Sequence, residues 1–463
     1  MGRLLMTRSK PALVRSTNGY ANRLSPIDRP AHDWYRFILS FPSHLVRDYV
    51  ERFGIGPRQV VLDPFCGTGT TIVECMKLGI PSVGVEANPM AHFATQIKSD
   101  WSPDPDGLLK HARKIAELAR ARLAADGIED DIPLPLFRVE RRLGLSQKRT
   151  LRTLEPEKQE LLLTNSISPL PLHRTLVLLD CIDERCDARY RNHELLALAK
   201  ALVCSISNLH FGPEVGVGPA KTDSPVVSAW IAAIQTMAND LRALQVIKSA
   251  QAYVYHADSR HIASIVEPCS IDAVITSPPY PNEKDYTRTT RLESVLLGFI
   301  RNKADLRILK HGLVRSNTRG VYKDDDDDQW VSGNREVQRI ARLIEKRRIE
   351  LGKTSGFERL YHKVTKLYFG GMARHLADLR TVLRPGAGLA YVVGDQASYL
   401  RVMIRTGQLL AEIAESLGYE PITIDLFRTR LATATKEQLR EEVVVLRWPG
   451  PKGVRRNCVA RPG

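Results

Sequence analysis

Residues 59–89 constrain the fold of this chain more than any other stretch. QVVLDPF is a short apolar run that leads into the glycine-rich turn CGTGT, and TTIVECMKLG follows with the apolar spacing of a helix. PSVGVEANP contains a second short apolar run, which ends in an acid, Glu86. A strand, a glycine-rich turn, a helix and a strand with a terminal carboxylate form the opening of a nucleotide-binding parallel sheet. The pattern therefore predicts an α/β fold.

The same alternation of strands and helices returns after residue 250. AYVYHADS and IDAVITS are predicted strands, and YFGGMARHLADLRTVLRPGAGLAYVVGD predicts a helix, a turn and a strand. QLLAEIAESLGYEPITIDLF and EEVVVLRW supply a last helix and two last strands. We therefore predict one sheet that is interrupted by insertions rather than three independent domains.

Composition and pattern divide the chain into seven predicted segments. Two features lie inside the insertions: FGPEVGVGPAKTDSP is a predicted loop, and five consecutive aspartates at 324–328, the acidic run, are predicted to form a solvated loop. The segments are a basic N-terminal arm (1–30), a first core part with the glycine-rich turn (31–100), a mostly helical insertion that is a candidate for target recognition (101–245), a second core part (246–299), a charged insertion (300–360), a third core part (361–449) and a basic tail (450–463).

The charge balance points to a polyanionic partner. Lys and Arg total 67 and Asp and Glu total 52, which gives a formal net charge of +15. Nucleic acid or a membrane surface would satisfy this charge. The sequence has no run of about 18 apolar residues and no secretory signal, so we expect no membrane association and a cytoplasmic protein. The 7 scattered cysteines predict reduced thiols, with neither a disulfide framework nor a metal site.

The glycine-rich turn has the residue types of a cofactor loop. Glycine is needed where the backbone turns sharply and a ligand comes close, and the following helix N-terminus favours anionic groups. Ile72 stands where a dinucleotide motif would have its third glycine, which disfavours NAD or FAD. Glu86 at the end of the next strand suits two ribose hydroxyls. Asp258, followed by Ser259, ends a later strand and would bind an adenine amino group or cap a helix.

The tetrapeptide Ser277-Pro278-Pro279-Tyr280 follows another predicted strand. Two prolines stiffen it and remove two backbone donors, which leaves carbonyl acceptors, a hydroxyl and an aromatic ring. This set suits an exocyclic amine whose planar base stacks on the ring. The next residues mix Lys284, Arg288 and Arg291 with Tyr280 and Tyr286, and a further loop holds Arg428, Arg430 and Lys436. Both are predicted to contact phosphates.

DPFCGTGTT and SPPY together resemble the cofactor loop and catalytic tetrapeptide of S-adenosylmethionine-dependent amino-methyltransferases of DNA. FPSHLV, HADS and VVGD resemble further positions of that family, and the resemblance covers roughly 40–100, 251–299 and 361–449. It implies a Rossmann-like class I methyltransferase with a mixed seven-stranded sheet and helices on both faces. It also implies S-adenosylmethionine as cofactor and a DNA duplex with a flipped target base as substrate, with a cognate restriction endonuclease as a further partner. The implied catalytic residues are Ser277, Pro278, Pro279 and Tyr280, and the implied cofactor-binding residues are Asp63, Pro64, Phe65, Gly67, Gly69, Thr70, Glu86, Asp258 and Ser259.

The motifs leave several functions open. The Ser form of the tetrapeptide is more typical of cytosine-N4 than of adenine-N6 enzymes, and the same chemistry serves base amines in RNA. A catalytically silent fold that binds nucleic acid is the alternative from another class, although the complete SPPY and the intact Gly67, Gly69 and Glu86 argue against it. The large insertion lies before Asp258, which departs from the common family arrangements. Either insertion would therefore be able to read the target.

Overall fold

A computed structural model describes residues 24–35, 40–130, 151–211, 214–282, 284–431 and 438–451. The basic patterns at 1–23, 138–150 and 452–463 and Lys436 lie outside these residues. The strands are β1 (Val61–Asp63), β2 (Ser82–Glu86), β3 (Leu209–Phe211), β4 (Val215–Val217), β5 (Ala252–His256), β6 (Ile271–Thr276), β7 (Leu383–Gly394), β8 (Glu420–Leu431) and β9 (Gln438–Arg447).

The helices surround this sheet and fill both insertions. They are α1 (Arg29–His32), α2 (Ser43–Arg52), α3 (Thr70–Lys77), α4 (Pro89–Lys98), α5 (Pro105–Ala125), α6 (Pro156–Leu161), α7 (Pro169–Glu184), α8 (Arg191–Ala201), α9 (Val227–Leu244), α10 (Tyr286–Thr289), α11 (Arg291–Leu296), α12 (Lys303–His311), α13 (Arg335–Glu350), α14 (Tyr361–Leu379) and α15 (Thr406–Ser416). In the part of the chain that the structure describes, no helix is long and apolar enough to cross a membrane.

Seven strands form one mixed sheet in the order β5-β2-β1-β6-β7-β9-β8. The first five strands in this order are parallel, and β9 pairs antiparallel with both β7 and β8. Helices cover both faces of this sheet, so the predicted Rossmann-like fold class is confirmed.

Side chains alternate between the two faces along the central strands, as a period of two requires. Leu62, Val274 and Tyr391 pack in one cluster with α13, α14 and α15. Their neighbours Val61 and Ile275 pack on the other face with the apolar side of α2. A sheet that is buried on both faces explains why these segments appear in the sequence as continuous apolar runs.

The first insertion adds helices to one existing core instead of forming a separate one. Side chains from α5, α7, α8 and α9 share one apolar cluster with Trp34, Val73 of α3 and Phe93 of α4. Within that cluster the indole of Trp230 donates a hydrogen bond to the Glu194 carbonyl at 2.9 Å. The predicted glycine- and proline-rich loop is only partly a loop, because β3 and β4 pair antiparallel within it.

The expectation of a solvated loop is wrong for part of the acidic run. Asp327 is only 3% exposed and forms ion pairs with Arg260 and Arg374. The carboxylate of Asp325 pairs with Arg315 at 2.7 Å, and both side chains are buried. Burial of a carboxylate is costly unless a positive partner accompanies it, and the two partners of Asp327 lie more than 40 residues away in the sequence. Part of this run of like charges is therefore buried, because arginine side chains form ion pairs with it.

The buried position of Asp327 depends on a glycine in the middle of α14. A Cβ on Gly370 would lie 1.9 Å from the Asp327 carbonyl oxygen. Gly370→Ala should therefore lower the free energy of unfolding by about 2 kcal/mol or more, although alanine ordinarily stabilises a helix by about 1 kcal/mol relative to glycine. Urea denaturation measures the difference. Gly356→Ala, where a Cβ meets nothing within 4 Å, is the control and should change stability by less than about 0.5 kcal/mol. Equal stability of the Gly370→Ala variant and the wild type would contradict this packing.

Candidate active site

The predicted cofactor loop and the tetrapeptide lie side by side because β1 and β6 are adjacent and parallel. Leu62 pairs with Val274, so the two strands end at the same edge of the sheet. The Thr276 hydroxyl donates a hydrogen bond to Asp63 Oδ1 at 2.6 Å and joins the two ends directly. After β1 the chain continues to β2 on one side, and after β6 it continues to β7 on the other side. These opposite directions leave a crevice at this edge of the sheet.

The cofactor loop is shaped by two glycines with left-handed backbone, Gly67 (φ +53°) and Gly69 (φ +82°). Gly69 is the N-cap of α3, and its N–H donates to the Cys66 carbonyl at 2.7 Å. Thr95 of α4 donates its hydroxyl to the Gly67 carbonyl at 2.7 Å, and the buried ammonium of Lys98 donates to the Thr68 carbonyl. The loop is therefore held in place by two side chains of α4.

Glu86 closes the loop from the end of β2. Its carboxylate accepts hydrogen bonds from the Gly67 N–H at 2.8 Å and from the Asn88 N–H at 2.7 Å. Burial raises the pKa of Glu86 to about 7, although these two backbone donors oppose the shift. Burial also raises the pKa of Asp63 to about 6. The two carboxyls at this edge are therefore poised to titrate near neutral pH.

A cavity of about 570 Å³ opens between the cofactor loop and the tetrapeptide. Its size is in the range of sites that enclose small molecules. Pro64, Phe65, Gly67, Thr70, Glu86 and Ser259 line one half, together with Phe41 and Ala257, whereas Ser277, Pro278, Pro279 and Tyr280 line the other half. The structure thus brings most of the predicted site residues to one space. In the described part of the chain, no group of three or more His, Cys, Asp or Glu side chains is arranged to hold a metal ion.

The tetrapeptide presents a hydroxyl and a ring to this cavity. Ser277 Oγ donates to the Val392 carbonyl at 3.2 Å, a long bond that a better partner would replace. The Tyr280 ring is seated against Gly394, where a Cβ would lie 2.9 Å from its Cε2 atom. The Tyr280 N–H donates to the Tyr286 hydroxyl at 3.4 Å. β7 therefore supports both groups from behind.

Charged side chains surround the tetrapeptide half of the cavity. Arg428 donates to Glu441 at 2.6 Å, and Arg430 lies 3.5 Å from the same carboxylate. Lys284 also lines this half, and burial together with the nearby Arg430 lowers its pKa. Glu214, beside the β3–β4 hairpin, is another lining residue. The opening is thus rich in cations whose charges are only partly neutralised.

Three predicted cofactor residues do not line the cavity. Asp63 ends β1 just before the loop, and Gly69 caps α3 at the end of the loop. The Asp258 carboxylate is held by Arg260, with Arg260 Nη2 to Asp258 Oδ2 at 2.7 Å. Its other predicted role is observed, because Asp258 caps a short 3₁₀ helix by accepting from the Arg260 N–H at 2.9 Å.

The loop after the tetrapeptide is divided between two roles. Lys284 and Tyr286 line the cavity with Tyr280, as predicted. Arg291 does not line it: its side chain is buried and donates to the carbonyls of Thr287 and Leu161. A buried guanidinium needs several acceptors, and the end of α6 supplies one of them. Arg291 therefore holds α11 against α6 and is not available for a phosphate.

Sequence reasoning missed one wall of the cavity entirely. The charged insertion contributes Lys310, Gly312, Leu313, Val314, Arg315, Ser316, Asn317 and Gly320. Asn317 donates to the Lys284 carbonyl at 3.1 Å, and Tyr399 donates to the Ser316 carbonyl at 2.9 Å. These residues form no motif, and their contacts join segments more than 30 residues apart. The one sequence signal is GLVRSNT, which mixes apolar and polar residues between two predicted helices and is typical of a partly buried segment.

Comparison with known proteins supports the same class of protein as the geometry of the cavity. A family model described as DNA methylase, of the N6/N4 methyltransferase type, matches residues 20–96. The type II methyltransferase M.BsoBI of Geobacillus stearothermophilus is 26% identical over 456 residues, which cover 90% of this chain and 84% of that protein. The type II methyltransferase M.AvaI of a Nostoc species is 24% identical over 451 residues, which cover 91% and 87% of the two chains. Together with the seven-stranded mixed sheet, these similarities support an amino-methyltransferase of the N4/N6 family of DNA methylases.

The two loop glycines should differ in how well they tolerate alanine. Both have left-handed backbone, which costs an alanine roughly 1–2 kcal/mol. A Cβ on Gly67 meets nothing within 4 Å, whereas a Cβ on Gly69 would lie 2.8 Å from Thr95 Cγ2. We expect Gly69→Ala to lower the free energy of unfolding by about 1–3 kcal/mol more than Gly67→Ala, as measured by urea denaturation. Thr95→Ser removes the clashing methyl and should restore part of the loss in the Gly69→Ala background. No restoration would show that the clash is not the cause.

Proposed function

We propose that this protein transfers a methyl group from S-adenosylmethionine to the exocyclic N4 amine of cytosine in DNA. One observation carries the proposal: the glycine-rich loop with Glu86 and the tetrapeptide at 277–280 share one cavity at the ends of two adjacent parallel strands. That arrangement allows a cofactor and a base amine to be held within reach of each other, and such positioning supplies a large part of the rate of a transfer reaction.

The cofactor half has the chemistry that S-adenosylmethionine requires. Each oxygen of the Glu86 carboxylate accepts one backbone N–H and retains lone pairs for ribose hydroxyls. Space for a close ligand is left at Gly67, where a side chain would find no neighbour within 4 Å. Phe65, Val85 and Ala257 supply apolar surface for an adenine ring. These residues therefore fit the cofactor, which when bound supplies an electrophilic methyl group on a sulfonium.

The tetrapeptide would activate the amine without a covalent intermediate. The nitrogen lone pair of a base amine is delocalised into the ring, so the amine is a poor nucleophile. Hydrogen bonds from its N–H groups to Ser277 Oγ and the Pro278 carbonyl favour a pyramidal nitrogen with a localised lone pair. Tyr280 offers its ring for stacking of the flipped base. Ser277 thus acts as a hydrogen-bond acceptor and not as a nucleophile.

DNA is the substrate that the charges and the relatives favour. Lys284, Lys310, Arg428 and Arg430 line the cavity beside the tetrapeptide, where a flipped nucleotide would bring its phosphates. M.BsoBI and M.AvaI are named as type II methyltransferases, which is consistent with a cognate restriction endonuclease as partner of a restriction–modification system. Within the first insertion, the candidate for target recognition, the segment beside the β3–β4 hairpin contributes Glu214 to the cavity.

Incubation of the full-length protein with labelled S-adenosylmethionine tests the proposal. Duplex DNA, single-stranded DNA and RNA are supplied separately, and nucleoside mass spectrometry identifies the product. We expect 4-methylcytosine in duplex DNA. 6-Methyladenine would instead assign the adenine-N6 reaction, and label in RNA alone would assign an RNA base amine. Absence of product despite bound cofactor would support a silent nucleic-acid-binding module.

Ser277→Ala should lower kcat by about 100-fold or more, because a lost hydrogen bond that acts in the transition state has an effect of this order. Affinity for S-adenosylhomocysteine, measured by calorimetry, should stay within about twofold of the wild-type value. The thiol of a Pro-Cys dipeptide is the nucleophile in cytosine-C5 methyltransferases. Cys269 belongs to such a dipeptide, Pro268-Cys269, but lies outside the cavity lining, so Cys269→Ala is the matched control. Full activity of the Ser277→Ala variant would contradict the mechanism.

Cofactor affinity should rise with pH through the titration of Glu86. The ionised carboxylate is the better acceptor for two hydroxyls, and its pKa of about 7 leaves most of the free protein protonated at pH 6. The dissociation constant of S-adenosylhomocysteine should therefore fall by up to about tenfold between pH 6 and pH 8. Glu86→Gln should bind more weakly and lose most of this pH dependence, which separates Glu86 from the nearby Asp63. A wild-type affinity that is flat over this range would contradict the ribose role.

A further inference from the structure

Arg260 occupies a central position between the sheet and the charged insertion. It is 7% exposed and lies in the 3₁₀ helix that follows β5. Its Nε donates to both oxygens of Asp258, at 3.1 and 3.0 Å, and its Nη2 donates to Asp258 Oδ2 at 2.7 Å and to the His311 carbonyl at 2.8 Å. Its Nη1 donates to Asp327 in the acidic run. One guanidinium therefore joins the end of β5 to two points of the charged insertion.

The segments joined by Arg260 enclose the cofactor half of the cavity. Asp258 is flanked by Ala257 and Ser259, which both line it. His311 directly precedes the wall segment, residues 312–317, which lines the same cavity, and a Cβ on Gly312 would lie 3.8 Å from Ala87, the residue after Glu86. Asp327 lies in the acidic run, beneath the wall. Arg260 thus ties the residue that precedes the wall segment to the end of β5 and to the acidic run.

A second arginine extends the same arrangement along the wall. Arg315 donates to Asp325 Oδ1 through Nε at 2.9 Å and through Nη2 at 2.7 Å, and its Nη1 donates to the Lys310 carbonyl at 2.8 Å. The other oxygen of Asp325 accepts from the Tyr322 N–H at 2.7 Å. Two buried arginine–aspartate pairs therefore hold the acidic run: Arg315–Asp325 joins it to the wall segment, and Arg260–Asp327 joins it to the end of β5. Such pairs fix geometry well, because an unpaired buried charge is costly.

The geometry points to a positioning function for this arrangement, which we name the arginine clamp and define as Arg260, Arg315, Asp325 and Asp327. The clamp holds the wall segment at the distance from Ala257 and Ser259 that the adenosine part of S-adenosylmethionine requires. Asp258, in place of a contact with adenine, anchors the clamp to the end of β5. The inference rests on the proposed function, and it assigns the acidic run a role in cofactor affinity.

The clamp controls cofactor affinity, whereas a merely structural ion pair controls stability. A pre-organised wall lowers the cost of ordering on binding, so its loss weakens cofactor affinity and leaves the transfer step itself largely unchanged. A structural pair elsewhere would affect stability without a specific effect on the cofactor. Arg384 offers such a pair, because it donates to both oxygens of Asp272 at 2.9 Å and to the Cys269 carbonyl at 3.0 Å, away from the cavity.

The test compares Arg260→Met with the control Arg384→Met in the full-length protein. Calorimetry gives the dissociation constants of S-adenosylhomocysteine and 5′-methylthioadenosine, and labelled methyl transfer to duplex DNA gives kcat at saturating cofactor. We expect Arg260→Met to weaken both ligands by about tenfold or more, with kcat within about threefold of wild type. Equal losses for the two ligands place the effect on the adenosine part that they share. Arg384→Met should leave both dissociation constants within about twofold.

A second variant keeps the test decisive if Arg260→Met does not fold. Asp327→Asn retains the shape of the side chain and removes its charge, and it should weaken the same two ligands in the same proportion. Cofactor binding that is no weaker in either variant than in Arg384→Met, or a loss confined to kcat, would overturn the clamp. A wild-type protein that neither binds S-adenosylhomocysteine nor methylates DNA would refute the proposed function as well. The two failures are thus distinguishable.

Discussion

The adjacency of β1 and β6 is the constraint on which the rest of the site depends. Parallel strands that pair in register end at one edge, so the cofactor loop and the tetrapeptide emerge together. The hydrogen bond from Thr276 to Asp63 fixes the two ends against each other in a buried place, where no water competes for the carboxylate.

Local sequence was sufficient for the elements that carry this contact. Short apolar runs bounded by glycine and proline predicted β1, β2 and β6, and the predicted mixed sheet of seven strands is confirmed. Glycine and proline restrict the backbone by sterics alone, so CGTGT and SPPY act as local signals that need no tertiary context. For the same reason, most of the residues predicted for the site line one cavity, whereas their individual roles stay predictions.

The residues that sequence reasoning misplaced are charged ones whose partners lie elsewhere in the chain. Asp327 was expected in solvent and Arg291 at a phosphate, and each is instead neutralised or satisfied by a distant group. Whether a charge is exposed depends on whether an opposite charge or a set of carbonyls meets it, and this is decided by tertiary packing. The paired glycines of α14 were a visible signal, since a helix interior disfavours glycine unless backbone must come close.

These charges also explain how a methyltransferase sheet tolerates two long insertions. The first insertion joins an existing apolar cluster through α5, α8 and α9, so burial of apolar surface holds it in place. The second packs α13 in the apolar cluster of the sheet, and its wall segment and acidic run are also held by arginine–aspartate pairs, which have direction as well as strength. Directional contacts suit the wall of a cavity, because they hold the backbone at one distance. The second insertion therefore adds directional contacts to the apolar packing by which both insertions are attached.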